Sequence, residues 1–483
     1  MGITLNFSVI FTEIIFILIS SLIFLTDKFI KNKNYSFYIA FITLIVGIFL
    51  ALFTPFGNFT YAYQNDFSSS ILKLFVLFGA ILITLISYNY LQHFKALNYG
   101  EYYGLILFSL VGSFIMLSAM DLLTIYLGLE LMSFPVYFLI ALNYAYNKTS
   151  LEGSLKYFLM GSLGSLFILI GLGLVYYFIG TFTLPEISHK LIEESINNKI
   201  LLLAFIFFLG GFSIKLSFVP FHMWAPDAYE SAPVPITSFI ASIMKFTAMA
   251  TLVKIILIGF NPLKVQIGEL LIPIILLTIL IGNIMAIKQD NIIRMLAYSS
   301  IAHAGYAGLG LISGNYAGYS FSIFYMLVYL IMTIGIFSVL VFLANYKKDL
   351  LNIPNMAGLS KNYPFISFLI LIFMFSLAGV PPTAGFMAKF YVFLFLIKAK
   401  YIWVALLAIL FSVIGAYPYL RVLKVIYMDE KDISFEYKYG ITFLIPVCLT
   451  AFLVIILGVY PQVLTNIIYK TIYLYVNLFF YPQ

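Results

Sequence analysis

Residues 210–245 read GGFSIKLSFVPFHMWAPDAYESAPVPITSFIASIMK. An apolar segment long enough to cross a membrane carries a lysine, Lys215, near its middle, and Pro220 follows five residues later. A helical proline has no N–H to give to the carbonyl four residues back, so the Leu216 carbonyl loses its helical donor beside the lysine. A Pro-rich turn follows, and then a second apolar segment with its own lysine, Lys245. A lysine at the centre of a membrane helix costs about 2.5–3.5 kcal/mol on insertion scales, and such residues by default mark ion pathways. Two of them flanking a broken helix point to ion transport.

The rest of the composition agrees. Of 483 residues, 63% are hydrophobic and 9% are charged, against about 25% charged in a soluble domain. The chain reads as an all-α integral membrane protein. The net charge of +7 does not imply nucleic acid, because the basic residues are scattered through the connections and form no patch. One cysteine (Cys448) and four histidines (His93, His189, His222, His303) argue against an iron–sulfur cluster, a disulfide framework or a zinc site. No Gly-rich nucleotide loop follows a strand pattern. We therefore expect no cofactor and no metal in this chain, and a driving force that sits on another. The first apolar segment lacks a basic start and a small-residue cleavage site, and is expected to be a retained helix.

A spanning helix needs about 20 mainly apolar residues. That rule gives fourteen segments, at 4–26, 36–54, 71–93, 102–119, 121–143, 154–179, 200–222, 234–258, 267–287, 292–313, 318–344, 364–397, 401–427 and 441–468. Helices seven and twelve are expected to be broken, at Pro220 and at Pro381–Pro382. With the N-terminus outside, inner connections hold Lys28, Lys31, Lys33, Lys95, Lys148, Lys288, Arg294, Lys347, Lys348, Lys361, Arg421, Lys424, Lys431 and Lys438. Outer ones hold Lys190, Lys199, Lys264, Lys398, Lys400 and Lys470. The bias places both termini on the outer side, although Lys398 and Lys400 lie against it.

An internal repeat is also visible. Gly211-Phe212-Ser213-Ile214-Lys215 matches Gly385-Phe386-Met387-Ala388-Lys389, and nearly the same offset relates Glu130 to His303. Helices four to eight would then correspond to helices nine to thirteen. Units of five helices must be inverted with respect to one another, and inverted repeats with broken helices are a transporter signature. We expect one membrane domain, with a three-helix segment (1–100), a first repeat (101–260), a second (261–430) and a final helix with its tail (431–483).

The polar residues within these segments are the candidate site. Lys215 sits too far from either end of its segment to reach an interface easily. Burial disfavours its charge and a nearby carboxylate favours it, so a lysine held between those pulls can exchange a proton. Lys389 follows Pro381 and Pro382, which leave the Leu377 and Ala378 carbonyls without helical donors. Glu130, in IYLGLELMSFPVY, is expected to pair with a lysine. Lys245 has Ser238, Ser242 and Thr247 close in sequence. Lys156, His222 and His303 are candidate relay residues, histidine because its ordinary pKa is near 6.5. Asp227 and Glu230 are expected at the inner water layer. Lys254 reads as a lysine reaching the outer interface, and Glu13 as a lone acid near the outer rim.

At these residues the chain becomes recognisable. LGLELMSFPVY, SLEGSLKYFLMGS, FSIKLSFVPFHMWAPDAYESAPVP, NIIRMLAYSSIAHAGY and SLAGVPPTAGFMAKFYVF resemble, in order and spacing, successive motifs of the antiporter-like subunits of respiratory complex I. The resemblance covers about residues 100–430 and is strongest to subunit N of bacterial NADH–quinone oxidoreductases. A lysine (Lys389) stands in the second broken helix where subunit M is expected to have Glu. The chain ends soon after helix fourteen, without room for the long lateral helix of subunit L. Ser231 departs from the family, which is expected to have Gly in that turn.

The resemblance implies a role for each residue. Glu130 matches the helix-five glutamate paired with a lysine, and Lys215 the broken-helix lysine of the proton-input half. Lys245 matches the lysine of the central connection and Lys389 the exit-side lysine, with His303 at a relay position. It also implies NADH, FMN, iron–sulfur clusters and quinone in partner subunits, neighbouring antiporter-like and small membrane subunits as partners, and a place in the cell (inner) membrane. A subunit of a Mrp-type cation/proton antiporter or of a membrane-bound hydrogenase shares the helix pattern and the lysines. A membrane scaffold without transport would tolerate the loss of Lys215 and Lys389.

Overall fold

A chain this apolar can satisfy its backbone inside a bilayer in few ways, and helix is the one its sequence supports. The computed structural model describes residues 6–30, 32–95, 97, 99–193, 198–433, 435–436 and 438–480; Lys31, counted above among the basic residues, lies outside them. The helices run α1 (Phe11–Asp27), α2 (Asn34–Phe53), α3 (Phe67–His93), α4 (Tyr99–Ser118), α5 (Leu122–Ala141), α6 (Ser150–Ile179), α7 (Leu184–Glu193), α8 (Asn198–Leu216), α9 (Trp224–Ser231), α10 (Val234–Phe239) and α11 (Lys245–Lys254). They continue with α12 (Lys264–Ile287), α13 (Ile292–Ile312), α14 (Tyr316–Tyr346), α15 (Leu359–Asn362), α16 (Pro364–Ala378), α17 (Ala384–Lys398), α18 (Ile402–Met428), α19 (Ile441–Val459) and α20 (Gln462–Phe480).

Among the described residues, twelve helices are long and apolar enough to cross a membrane. Two of the fourteen expected segments differ from these. The tenth is the 21-residue α13, whose Arg294, Ser299, Ser300 and His303 make it less apolar. The twelfth is two 15-residue halves, α16 and α17. The last segment is shorter than expected. It ends at Val459 rather than 468, because Pro461 pushes Tyr460 out of helical geometry (φ −124°, ψ 66°), and α20 begins anew. Two features of the connections were not expected. A short hairpin, β1 (Gly57–Thr60) with β2 (Tyr63–Asn65), pairs Gly57 with Asn65 and Thr60 with Tyr63, and α7 occupies the connection after α6.

Helix α3 starts four residues before the expected segment. Asp66 accepts from the Ser69 amide at 2.6 Å while Ser69 Oγ accepts from the Asp66 amide at 2.9 Å. This capping box satisfies two otherwise orphaned donors and extends the helix. The segment Val234–Gly259 and helix α14 are buried on all sides, whereas α1 and α2 are peripheral. Lys245 and Lys254 delimit α11, which lies between two π-helical stretches, Ile240–Met244 and Ile255–Gly259. Such wide turns are frequent at functional sites.

The two broken helices are not broken at matching points of the GFxxK pattern. Lys215 is the second-last residue of α8, before its break, whereas Lys389 is the sixth residue of α17, after its break. The Val219-Pro220 and Val380-Pro381 pairs, by contrast, both lie within the breaks. The pentapeptide match therefore does not align the two helix breaks.

Candidate functional site

Lys215 is 5% exposed. Its Nζ donates to the Tyr137 hydroxyl at 3.3 Å and lies 5.7 Å from the centre of the Tyr137 ring and 5.4 Å from that of Tyr157. Gly161 makes room for this: a Cβ there would collide with the Tyr137 hydroxyl and come within 3.4 Å of Lys215 Nζ. Glu130, half-buried on α5, accepts a very short hydrogen bond from Ser165 on α6. Glu130 and Lys215 act on one another electrostatically, yet they form no ion pair within 4.0 Å. The direct pair expected from the sequence is open in this structure, and neutral groups hold the lysine.

Aromatic contacts lead from Lys215 to the middle of the molecule. The Tyr157 ring stacks on Trp224 (centroids 4.3 Å apart), and Trp224 meets Tyr229 edge-on at 6.2 Å. Lys245, fully buried, lies over the Tyr229 ring at 6.0 Å. Its Nζ donates to the Ser300 hydroxyl (2.9 Å) and the Ser300 carbonyl (3.1 Å) across the interface with α13. Ser238 and Ser242, close in sequence, are not its partners. Ser242 instead bonds back to the Ser238 carbonyl, as serines one turn apart on a helix commonly do.

From Ser300 the polar chain continues along α13. Ser299 Oγ and the Tyr419 hydroxyl are 2.6 Å apart. His303 places Nε2 at 3.2 Å from Tyr419 and Nδ1 at 2.8 Å from Tyr325, with its ring stacked on Tyr329 at 4.9 Å. Tyr306, 6.1 Å from the His303 ring, carries Lys389 over its face at 5.0 Å. Lys389 Nζ donates to the carbonyls of Ala378 (2.8 Å) and Leu377 (3.3 Å) and to Ser412 at 3.4 Å. Those two carbonyls are the ones expected to be left without helical donors by Pro381 and Pro382, and the lysine supplies a donor to both.

Other candidates fall elsewhere. Lys156 is not buried. Its side chain is 44% exposed and forms ion pairs with Glu152 and Asp227, each at 2.7 Å. Asp227 also binds Arg294 at 2.7 Å, and Arg294 reaches Glu230 at 2.9 Å. His222 is buried in the turn after α8, and its Nδ1 has no hydrogen-bond partner among the described residues. Lys254 does not reach an interface. It is 2% exposed, and its Nζ donates to the Leu117 carbonyl at 3.0 Å. Glu13 is not a lone acid either. It is 4% exposed and paired with Lys73 at 2.8 Å.

The tyrosines were missed by sequence reasoning, although Tyr137 stands two turns after Glu130 on one helical face. Lys73 lies two residues into the expected segment 71–93, at a helix end where a lysine has an ordinary explanation.

An all-helical membrane bundle with two interrupted helices, and lysines buried between them, defines a class of ion-translocating membrane proteins. The chain belongs to the NADH:quinone oxidoreductase/Mrp antiporter transmembrane family, whose family model matches residues 119–415. Within it the chain is similar to NADH-quinone oxidoreductase subunit N. It is 34% identical to that of Nitrosomonas europaea over 469 residues, 96% of this chain and 97% of the relative. It is 38% identical to that of Trichlorobacter lovleyi over 441 residues, 90% of each. A chain of respiratory complex I from Thermus thermophilus with bound aureothin superposes with a TM-score of 0.78 at 28% identity, over 94% of this chain and 98% of that one. A chain of the Mrp complex from Dietzia sp. DQ12-45-1b gives a TM-score of 0.84 at 17% identity, over 98% of each, which is a likeness of fold.

Proposed function

We propose that this chain is a proton-translocating membrane subunit of an NADH–quinone oxidoreductase. Partner subunits holding NADH, FMN, iron–sulfur clusters and quinone carry out the electron transfer, and this chain uses the energy released. Its basic end faces the inside of the cell membrane and both termini face the opposite side. Residues 101–260 form the uptake half and residues 261–430 the release half. The observation that carries this reading is the row of buried polar and aromatic groups running from Lys215 past Tyr229, Lys245, Ser300 and His303 to Lys389.

A proton reaches Lys215 from the basic end. When Glu130 closes on Lys215, an opposite charge at contact distance stabilises the ammonium. When the pair opens, the ammonium rests against neutral tyrosines and the proton moves on to Lys245. Ser300, Ser299, Tyr419 and His303 offer hydroxyl and imidazole groups that both give and accept protons, and Lys389 is the last holder before release. Electron transfer elsewhere in the complex would act by biasing the opening and closing of the Glu130–Lys215 pair.

Purification in mild detergent should bring down flavin and iron–sulfur subunits with this chain; small antiporter subunits alone would support a cation/proton exchanger instead. In the assembled complex, Lys215→Ala should abolish the pumping carried by this subunit while leaving assembly intact. Full coupled pumping in that variant would refute the reading.

A further inference from the structure

The proposed path leaves a second buried acid–lysine pair unused. Glu13 stands in the first turn of α1 and Lys73 in the second turn of α3. Lys73 Nζ lies 2.8 Å from Glu13 Oε1, 3.0 Å from the Tyr63 hydroxyl and 3.4 Å from Asn65 Oδ1. The Tyr63 hydroxyl donates to the same glutamate oxygen at 2.6 Å. Glu13, Lys73 and Tyr63 are 4%, 2% and 6% exposed. Taking an ion pair out of water costs several kcal/mol per ion, and such pairs are weak stabilisers unless every lone pair is satisfied. Here one is not. Glu13 Oε2 is buried without a hydrogen-bond partner among the described residues. A bare oxygen on a buried carboxylate is poor structural design, and it is the atom on which a proton would sit.

The pair is also connected. Tyr63 forms an isolated bridge with Ala119 at the end of α4. Two residues back is Leu117, whose carbonyl binds Lys254. Lys254 is within electrostatic reach of Asp66 and Lys73. It stands on the same helix as Lys245, nine residues on, a rise of about 13.5 Å. All these groups gather at the end of the bundle where α3 begins and α4 and α11 end, opposite the basic end.

We propose that Glu13 and Lys73 form a protonatable site, coupled through Lys254 to Lys245, by which the first half of the chain exchanges protons with the water layer opposite the basic end. This rests on the reading of the chain as a proton-translocating subunit. A proton arriving at Glu13 Oε2 neutralises the carboxylate. Lys73, its counter-charge gone in a dry site, releases one proton to the water layer opposite the basic end, while Lys254, which supplied the first, is protonated again from Lys245. The neutral Lys73 amine then takes the proton back from the carboxyl group across their contact. One proton enters and one leaves, and the ion pair is restored.

The double variant Glu13→Gln/Lys73→Met removes both charges together, which a merely structural pair tolerates. Proton-to-electron ratios during NADH oxidation are measured in sealed vesicles for the parental complex, this double variant and Lys215→Ala. The expected result is that the double variant assembles and its ratio falls below the parental value. A parental ratio in the double variant alongside a lowered one in Lys215→Ala overturns this proposal alone. Parental ratios in both overturn the functional reading as well. If the double variant does not assemble, the unmutated complex is treated with dicyclohexylcarbodiimide, which modifies protonated carboxyl groups in apolar surroundings, and its peptides are weighed. Labelling of Glu13 that rises during turnover supports the site, and a Glu13 that stays unlabelled during turnover overturns it.

Discussion

The surroundings of Lys389 suit a side chain that has to give up a proton. Its ammonium is held by two backbone carbonyls and a serine hydroxyl, all neutral acceptors. A buried charge held only by dipoles is less costly to discharge than one held by a carboxylate, because no unpaired anion is left behind. Lys389→Met should therefore assemble normally and remove the pumping carried by this subunit, a loss read as a lowered proton-to-electron ratio. Lys389→Arg should remove it too, since a guanidinium does not give up its proton. Such lysines were legible in the sequence because a charge in an apolar run has no ordinary explanation. Their holders were not. The chain has 37 tyrosines, and nothing local separates Tyr229 or Tyr325 from those that merely fill the core. Lys73 was hidden by a different physical fact: the Asp66–Ser69 cap moves its helix start by four residues, about 6 Å of rise, and so carries it from the first turn of the expected helix into the second.

At the scale of the element, the break between α16 and α17 is what aims Lys389. Gly379 closes α16 in the left-handed region (φ +86°), where an L residue costs about 1–2 kcal/mol. A Cβ there would also stand 3.0 Å from Lys389 Cδ and 3.2 Å from its Nζ. Gly379→Ala should thus do two things at once, lowering the unfolding temperature of the purified complex and displacing the lysine from the Ala378 carbonyl. The expected outcome is a pumping defect greater than the loss of folded complex accounts for, measured per assembled complex. The prolines of this break were legible, including which two carbonyls they would free. Where the breaks fall relative to the shared pentapeptide was not. GFxxK repeats in sequence, but the chain breaks after Lys215 and before Lys389. The position of a break depends on Pro220, Pro381 and Gly379 rather than on the lysine, so the shared pentapeptide carries no information about it.

Across the whole molecule, an ion network at the basic end ties α6, α9 and α13 together. Asp227 is its hub, accepting from Lys156 and Arg294, while Arg294 also reaches Glu230. Burial alone would push the Asp227 carboxyl up, but the hydrogen bonds from Lys156 and Arg294 outweigh it and hold the group below its ordinary value. A carboxylate whose folded pKa is depressed adds stability above its unfolded value, near 3.9, and loses it as pH falls through the folded value. The network therefore contributes in full at neutral pH and is lost only in strong acid. Arg294→Met would remove two of its ion pairs and leave Glu230 without its arginine. Asp227 would keep only Lys156, and its pKa would rise toward the ordinary carboxylate range. We expect thermal stability of the purified complex to fall at neutral pH, and its acid-unfolding midpoint to move to higher pH than in the parent. The network also joins α6 and α9, which carry Lys156 and Asp227, to α13, which carries Arg294. If it only fastens them, pumping per assembled Arg294→Met complex should stay at the parental level. A fall there, with assembly corrected for, would mean that the fastening also holds the uptake side in register with the central lysines.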